Sequence, residues 1–310
     1  MKTGAIIATA GKTSSPGSFK PMIQIGSVSA VHRLIDTFEQ AGVSPIVLVA
    51  DRHSHDLEKH LSRLGTVTLY NEDDEHCEMI DFVKIGLTYI EDKCDQVFIT
   101  PVDVPLFTAE TVQILMRANA QIASPVFNGR VGHPLLISGK LIPAFLLYKG
   151  ENGLRGMIRN GGFNRTLIEV EDEGVLWDVD SDEDCRDLLK RYNRQNLHPT
   201  VKICLAKEQT FFGPGSAQLL TFIGETGSVR LACRQMAVSY SKGWKIIKMM
   251  EDQLGFEVVQ RQQGGKNGGN ACLTPRGQRI LEKFRTYEDT CRVIIQKVFE
   301  DTFLNDDDWK

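Results

Sequence analysis

Four groups of residues in this 310-residue chain have the types and spacing to do chemistry. The first is Ala10-Gly-Lys-Thr-Ser-Ser-Pro-Gly-Ser-Phe-Lys20, which follows an apolar run without a break. Small residues let backbone N–H groups approach a phosphate, and Lys12 and Lys20 add countercharge. The stretch is neither GxxxxGK[ST] nor GxGxxG, so composition alone leaves a phosphate loop and a plain surface loop both open. The second group is acidic: Asp103 in Ile99-Thr-Pro-Val-Asp-Val-Pro-Leu106, and Asp180 in Asp178-Val-Asp-Ser-Asp182 after the apolar run Gly174–Trp177. Two aspartates at different strand ends suit Mg²⁺, which is commonly held by one or two carboxylates plus substrate phosphates. Aspartate is equally a favoured helix cap. The third group is His133, before a proline, and Arg155; together they could hold an anion, or the histidine could be a hydrogen-bonded turn residue. There is no Ser/His/Asp or Cys/His constellation, so any reaction here would rest on positioning and electrostatics.

The fourth group lies near the other end. Gly227–Lys248 reads as two helices with a tight turn near Val238–Ser239. In a helix-turn-helix the second helix presents its first residues to base edges. Ser239, Tyr240, Ser241, Lys242 and Lys245 occupy that start, Lys248 follows one turn later, and Trp244 and Ile247 are expected to face the core. Downstream, Arg261 and Lys266 lie in a glycine-rich tip between two apolar runs, a hairpin suited to tracking a nucleic-acid backbone. A winged helix used for protein contacts would carry the same lysines on a solvated face.

These residues need elements to position them. Gly4–Thr9, Pro45–Ala50, Thr66–Tyr70 and Gln96–Thr100 read as buried strands, alternating with helical periodicity over Val28–Gln40, Ser54–Leu64 and Cys77–Glu91. That alternation predicts an α/β, Rossmann-like doubly wound and mostly parallel sheet, with ligands beyond the C-terminal strand ends. The expected helices Ser216–Glu225, Val229–Ala237, Ser241–Leu254 and Pro275–Phe303 with one hairpin describe a mainly α winged helix-turn-helix domain. Charge divides the chain in the same place. Residues 1–200 hold 20 basic and 27 acidic side chains, whereas residues 201–299 hold 15 and 8. An acidic half and a basic half suggest different partners. The boundaries expected are 1–193 for the first domain, 194–203 for a linker, 204–304 for the second domain and 305–310 for an acidic tail. No apolar stretch approaches the ~18 residues of a membrane span, and the seven scattered cysteines suggest reduced thiols in a cytoplasmic protein.

The first half resembles the molybdenum-cofactor nucleotidyltransferases, the molybdopterin guanylyl- and cytidylyltransferases. Ala10, Gly11, Thr13, Gly17 and Lys20 match that family's signature offsets, and Ser15 stands where the family has arginine. Lys12 could offset that loss. The resemblance implies that the loop binds the triphosphate, that Lys20 is the catalytic lysine at the phosphate under attack, and that Asn71 lies near the nucleotide. It makes Asp103 and Asp180 the Mg²⁺ ligands, and His133 with Arg155 the holders of an anionic pterin phosphate. The reaction implied is attack by a terminal phosphate of molybdopterin on the α-phosphorus of CTP or GTP, releasing pyrophosphate.

The second half resembles the N-terminal domain of the molybdate-responsive transcription regulators. Gly227-Ser228, Ser239–Trp244, Gly264–Gly269 and Leu273–Gly277 carry that likeness. It implies duplex DNA as partner, read through Ser239, Tyr240, Ser241, Lys242, Lys245, Lys248, Arg261 and Lys266, and a homodimer through the last helix. Two readings follow: a transferase with an appended DNA-binding domain, or a regulator whose transferase-like half senses a ligand without turnover.

Overall fold

The computed structural model describes residues 1–9, 22–26, 28–51, 66–71, 78–179, 199, 201–236, 238–262 and 270–304, and the side chains of 261, 262, 270 and 304 lie outside that description. Ala10–Lys20, the helix expected over 54–64, Asp180, Lys266 and the acidic tail therefore lie outside the described residues. The chain divides into two units, Met1–Asn196 and Leu197–Lys310.

The first unit runs β1 (Thr3–Ala8), β2 (Gln24–Ile25), β3 (Val28–Ser29), α1 (Ala30–Gln40), β4 (Ile46–Asp51), β5 (Val67–Asn71), α2 (Met79–Ile90) and β6 (Gln96–Pro101). There follow α3 (Ala109–Arg117), β7 (Ile122–Phe127), β8 (Arg130–Val131), β9 (Leu135–Ser138), α4 (Ile142–Leu147), α5 (Gly153–Asn160) and β10 (Arg165–Glu169). The sheet order is β10-β7-β9-β6-β1-β4-β5, with β8 paired on β7. β9 is antiparallel to both neighbours, and the β1, β4, β5, β6 and the β7, β10 pairings are parallel. This is the doubly wound architecture the alternation predicts.

β1 and β6 are buried along their whole length because helices cover both faces. Under α1 and α3, Phe38 packs between Phe98 and Phe107 at 5.6 and 5.5 Å between centroids. On the opposite face α2 comes so close that a Cβ on Gly86 would stand 2.7 Å from Ile6. The helix expected from Val28 begins at Ala30, because Ser29 is its N-cap and Val28–Ser29 pair with Gln24–Ile25.

A second correction concerns Gly174–Trp177. Residues Glu173–Leu176 form a 3-10 turn, so the acidic stretch after it does not leave a strand end. The turn packs tightly on Leu106, where a Cβ on Gly174 would lie 2.0 Å from the carbonyl oxygen, and Asp172 caps it by accepting from Gly174 N–H.

The second unit holds a short antiparallel pair that sequence periodicity does not announce, β11 (Leu205–Ala206) with β12 (Thr210–Phe212). Then come α6 (Pro214–Thr226), α7 (Val229–Gln235), α8 (Tyr240–Leu254), the antiparallel hairpin β13 (Val259–Gln262) with β14 (Asn270–Leu273), and α9 (Pro275–Phe299) with a π-helical turn to Leu304. Gly227, in the left-handed region at φ +64, ends α6, and Ser228 caps α7 by accepting from Leu231 N–H. Its core joins Leu219, Leu220, Phe222, Ile247, Met250 and Leu281 to the Phe212–Phe284 ring pair at 4.9 Å. α7 and α8 touch where the Cys233 sulfur would stand 2.2 Å from a Cβ on Gly243.

Candidate functional site

In the first unit the parallel strands all end on one rim, at Asp51, Asn71, Ala8, Pro101, Phe127 and Glu169. Ligands of such sheets sit beyond this rim. Val102 N–H donates to the Ala8 carbonyl at 3.0 Å and Thr9 N–H to the Val49 carbonyl at 3.0 Å, so β1 stays paired to its last residue. The chain then leaves toward Ala10, Gly11, Lys12, Thr13, Gly17 and Lys20, which lie outside the described residues. Asn71 is buried at the end of β5, the strand at one edge of the sheet.

Asp103 follows β6, half-buried among Val102, Val104, Leu106 and Phe107, which anchor its loop. Its backbone carbonyl accepts from Val179 N–H at 2.7 Å. The residue after Val179 is Asp180, so the last described residue before the second expected carboxylate is tied to the first. Asp172 fastens this segment from behind. Its carboxylate accepts from Thr108 N–H (2.8 Å), Thr108 Oγ1 (3.0 Å), Thr111 Oγ1 (2.6 Å) and Gly174 N–H (3.0 Å). Nothing in the sequence pattern marks Asp172, because its partners on the α3 cap lie over 60 positions earlier.

His133 belongs to the same rim. The β7–β8 hairpin turns at Asn128 and Gly129, both at positive φ, and leads through Gly132 to a cis His133–Pro134 bond before β9. His133 N–H donates to the Val175 carbonyl at 2.8 Å, and Gly132 lies so near Val175 that a Cβ would stand 2.4 Å from the same oxygen. The 3-10 turn is thus held between the Asp103 loop and the His133 loop. Burial pushes the His133 imidazole down to about 4; the charge of Asp103 opposes that shift, and those of Arg155 and Arg165 reinforce it. The ring is therefore neutral at pH 7, and positive charge here comes from the arginines. Arg155 is exposed on α5. Its segment is braced: Tyr148 OH donates to the Glu151 carbonyl at 2.9 Å, and Lys84 Nζ to the Tyr148 carbonyl at 2.5 Å. Arg165, which sequence reasoning passed over, enters the neighbourhood from β10. At the far end of β10 from Arg165, the rim carries an open depression of about 390 Å³ lined by Phe127, Asn128, Glu169, Val170 and Glu171.

The carboxylate oxygens of Asp103 are hard donors of the kind that suits Mg²⁺ held jointly by protein and phosphates. The structure thus brings Asp103, His133, Arg155 and the approach to Asp180 to one end of the sheet.

In the second unit Ser239 caps α8, its Oγ accepting from Lys242 N–H at 3.2 Å. Ser239, Tyr240, Ser241, Lys242, Lys245 and Lys248 are all exposed, and Ile247 is buried as expected. Trp244 is half-buried and meets the Tyr240 ring edge-on at 6.2 Å. Arg230 on α7 lies over the Tyr240 ring at 5.5 Å, and exposed Arg234 follows one turn later. Spacing alone did not reveal Arg230, since its partner sits on the other helix. Arg261 lies on β13, with only its backbone described.

The MobA-like NTP transferase domain matches residues 5–167, just over half of the chain. The chain belongs to the MobA-like NTP transferase family. Residues 216–278 match the bacterial regulatory helix-turn-helix proteins of the lysR family, so a helix-turn-helix follows the transferase domain. That match supports the fused helix-turn-helix without specifying the molybdate-regulator type of wing.

Among curated proteins, the transcriptional dual regulator ModE of Escherichia coli is 33% identical over 102 residues, 33% of this chain and 37% of that protein. The molybdenum-pterin-binding protein MopB of Rhodobacter capsulatus is 34% identical over 86 residues, 28% of this chain and 32% of that protein. The chain spans about a third of the length of these relatives. Among solved structures, a nucleotidyl transferase of Methanothermobacter matches at TM-score 0.54 and 17% identity over 63% of this chain and 99% of that one. Rv0371c of Mycobacterium tuberculosis matches at 0.53 and 18% over 61% and 98%, and its manganese complex at 0.51 and 19% over 61% and 98%. At these identities the likeness is one of fold. Among the described residues no helix is long and apolar enough to cross a membrane.

Proposed function

We propose that residues 1–193 form a Mg²⁺-dependent nucleotidyltransferase acting on CTP or GTP and molybdopterin, and that 204–304 form a ModE-type winged helix that binds duplex DNA. The observation that carries the first part is the Val179–Asp103 hydrogen bond, which joins the loop of one candidate carboxylate to the segment leading to the other. In the reaction, an oxygen of the acceptor's terminal phosphate attacks the α-phosphorus of the NTP, and the bond to the β-phosphate breaks to release pyrophosphate. Mg²⁺, when bound, would neutralise charge developing on the phosphates. The chain's own residues do the rest by placement. Asp103 and Asp180 would fix the ion, the Ala10–Lys20 loop would cradle the triphosphate, and Lys20 would meet the phosphate under attack. Asn71 would lie beside the nucleotide. Neutral His133 would serve as a hydrogen-bonding wall and Arg155 as countercharge for the acceptor. No covalent protein intermediate is needed.

The test is direct: incubate the protein with molybdopterin, Mg²⁺ and each NTP, and measure pyrophosphate. Release with CTP or GTP alone among nucleotides is the expected result; no release with any nucleotide sinks the enzyme.

For the second part, α7 and the first turns of α8 carry Arg230, Arg234, Lys242, Lys245 and Lys248 and no acid. Such a face is an electrostatic footprint for phosphate. The exposed residues Tyr287, Ile294 and Val298 on α9, with Cys291, fall at the 4-3-4 spacing of a helix-pairing stripe, which supports a homodimer. A regulator reading keeps this domain and lets the first half bind ligand without turnover; Ser15 in the arginine position of the signature favours it.

A further inference from the structure

Ser124 is fully buried in β7, yet its hydroxyl oxygen is not held within the strand ladder: it accepts from both Nε (3.1 Å) and Nη2 (2.9 Å) of Arg165 on the adjoining strand. A guanidinium carries five N–H donors in a rigid plane. Two are spent on Ser124, which fixes the plane and leaves three along the far edge. A serine hydroxyl orients the cation without neutralising it, and burial works against the Arg165 charge. Among the described residues neither Arg165 nor Arg155 forms an ion pair, although the charges of both reach the His133 ring. The Nδ1 atom of that ring is itself buried without a hydrogen-bond partner. Two guanidinium groups without ion pairs, set against the single Asp103 carboxylate, and an imidazole nitrogen without a hydrogen-bond partner describe a place suited to an oxyanion.

We propose that Arg165, held in plane by Ser124, is the anchor for the terminal phosphate monoester of the acceptor, with Arg155 as a second countercharge. This rests on the transferase reading, and it assigns the acceptor rather than the NTP to the β7–β10 side of the sheet, with the Arg165 guanidinium at the level of Ser124. The forked grip would orient one phosphate oxygen outward as nucleophile, so Arg165 is a positioning residue.

The experiment measures anaerobic binding of molybdopterin without NTP or metal, by calorimetry, to the full-length protein and to Arg165→Ala, Arg165→Lys and Ser124→Ala. Arg165→Ala should weaken acceptor binding about tenfold or more. The lysine variant should recover less than half of that loss in log units, and Ser124→Ala should lose a smaller part. NTP binding should match the parent, the melting temperature should stay within a few degrees of it, and added ethylguanidine should restore acceptor binding to the Arg165→Ala variant, which a structural role would not allow. Acceptor binding unchanged in Arg165→Ala overturns the proposal, as does an equal loss of acceptor and NTP binding. Parent protein that binds acceptor but releases no pyrophosphate defeats the transferase reading and leaves this one standing; parent protein that binds no acceptor defeats both.

Discussion

Replacing Asp172 should loosen the transferase rim in two measurable steps. Its Oδ2 takes three hydrogen bonds, from Thr108 N–H, Thr108 Oγ1 and Thr111 Oγ1, and its Oδ1 takes one from Gly174 N–H. In Asp172→Asn the amide oxygen can keep the first three, and the amide nitrogen then faces a donor it cannot accept from. One stranded backbone N–H costs about 1–2 kcal/mol. In Asp172→Ala both backbone N–H groups, of Thr108 and Gly174, lose their acceptor, while the two hydroxyls can rotate to other partners. That loss, with the charge-assisted bonds, comes to about 3–5 kcal/mol. For a unit of this size about 2–4 °C of melting temperature follow each kcal/mol. The alanine variant should therefore melt roughly 6–20 °C lower, and urea titration should rank parent, Asn and Ala in that order. Hydrogen exchange should locate the opening at Gly174–Val179 and the first turn of α3. An alanine variant within about 1 kcal/mol of the parent, or an asparagine variant equal to it, would refute the assignment of Asp172 as the fastener.

The remaining expectations are shorter. His133 titrates near 4 folded and near 6.5 unfolded, so between those values the unfolded state binds more protons and stability falls as pH falls. In EDTA, urea titrations from pH 7 to 4 should show a loss on the order of 2 kcal/mol that His133→Gln removes, and an unchanged slope in that variant would contradict the burial of the ring. Gly277→Ala must move Val258, whose carbonyl oxygen would lie 2.1 Å from the new Cβ. Overpacking of this kind costs about 1–3 kcal/mol, which faster hydrogen exchange at the start of α9 should report. Lys242→Ala with Lys245→Ala should weaken duplex binding and lower its salt slope by about 2, and Arg230→Ala should lower it by about 1 more. Slopes that do not move would assign this face to protein contacts.

What could be read from the chain divides by the distance over which residues act. β1, β4 and β6 stand out because both faces are covered and their cores are mostly apolar, whereas the edge strand β5 is only half-buried between its ends. The helix-turn-helix is legible because Ser228 and Ser239 cap their own helices within three residues. Asp103 is legible from the two prolines around it. The run Gly174–Trp177 misleads, since only Gly174 and Val175 are buried, by a turn packed on Leu106, while Trp177 is exposed. Asp172, the Ser124–Arg165 pair and the Arg230–Tyr240 stack act across elements, 41 positions apart in the second case, and no local pattern records such partners.

The contact between Cys233 and Gly243 gives the helix-turn-helix a chemical clock. The Cys233 thiol is 2% exposed, its pKa is raised by burial, and it sits where α7 and α8 leave no space for even one added atom. A thiol reagent cannot reach it while the two helices stay together, and the reactive thiolate is scarce. Cys204, Cys272 and Cys291 are open to reagent to a greater degree and should be consumed first. The slow labelling of Cys233 then counts separations of α7 from α8, one molecule at a time, and anything that clamps the pair, duplex included, should slow the count.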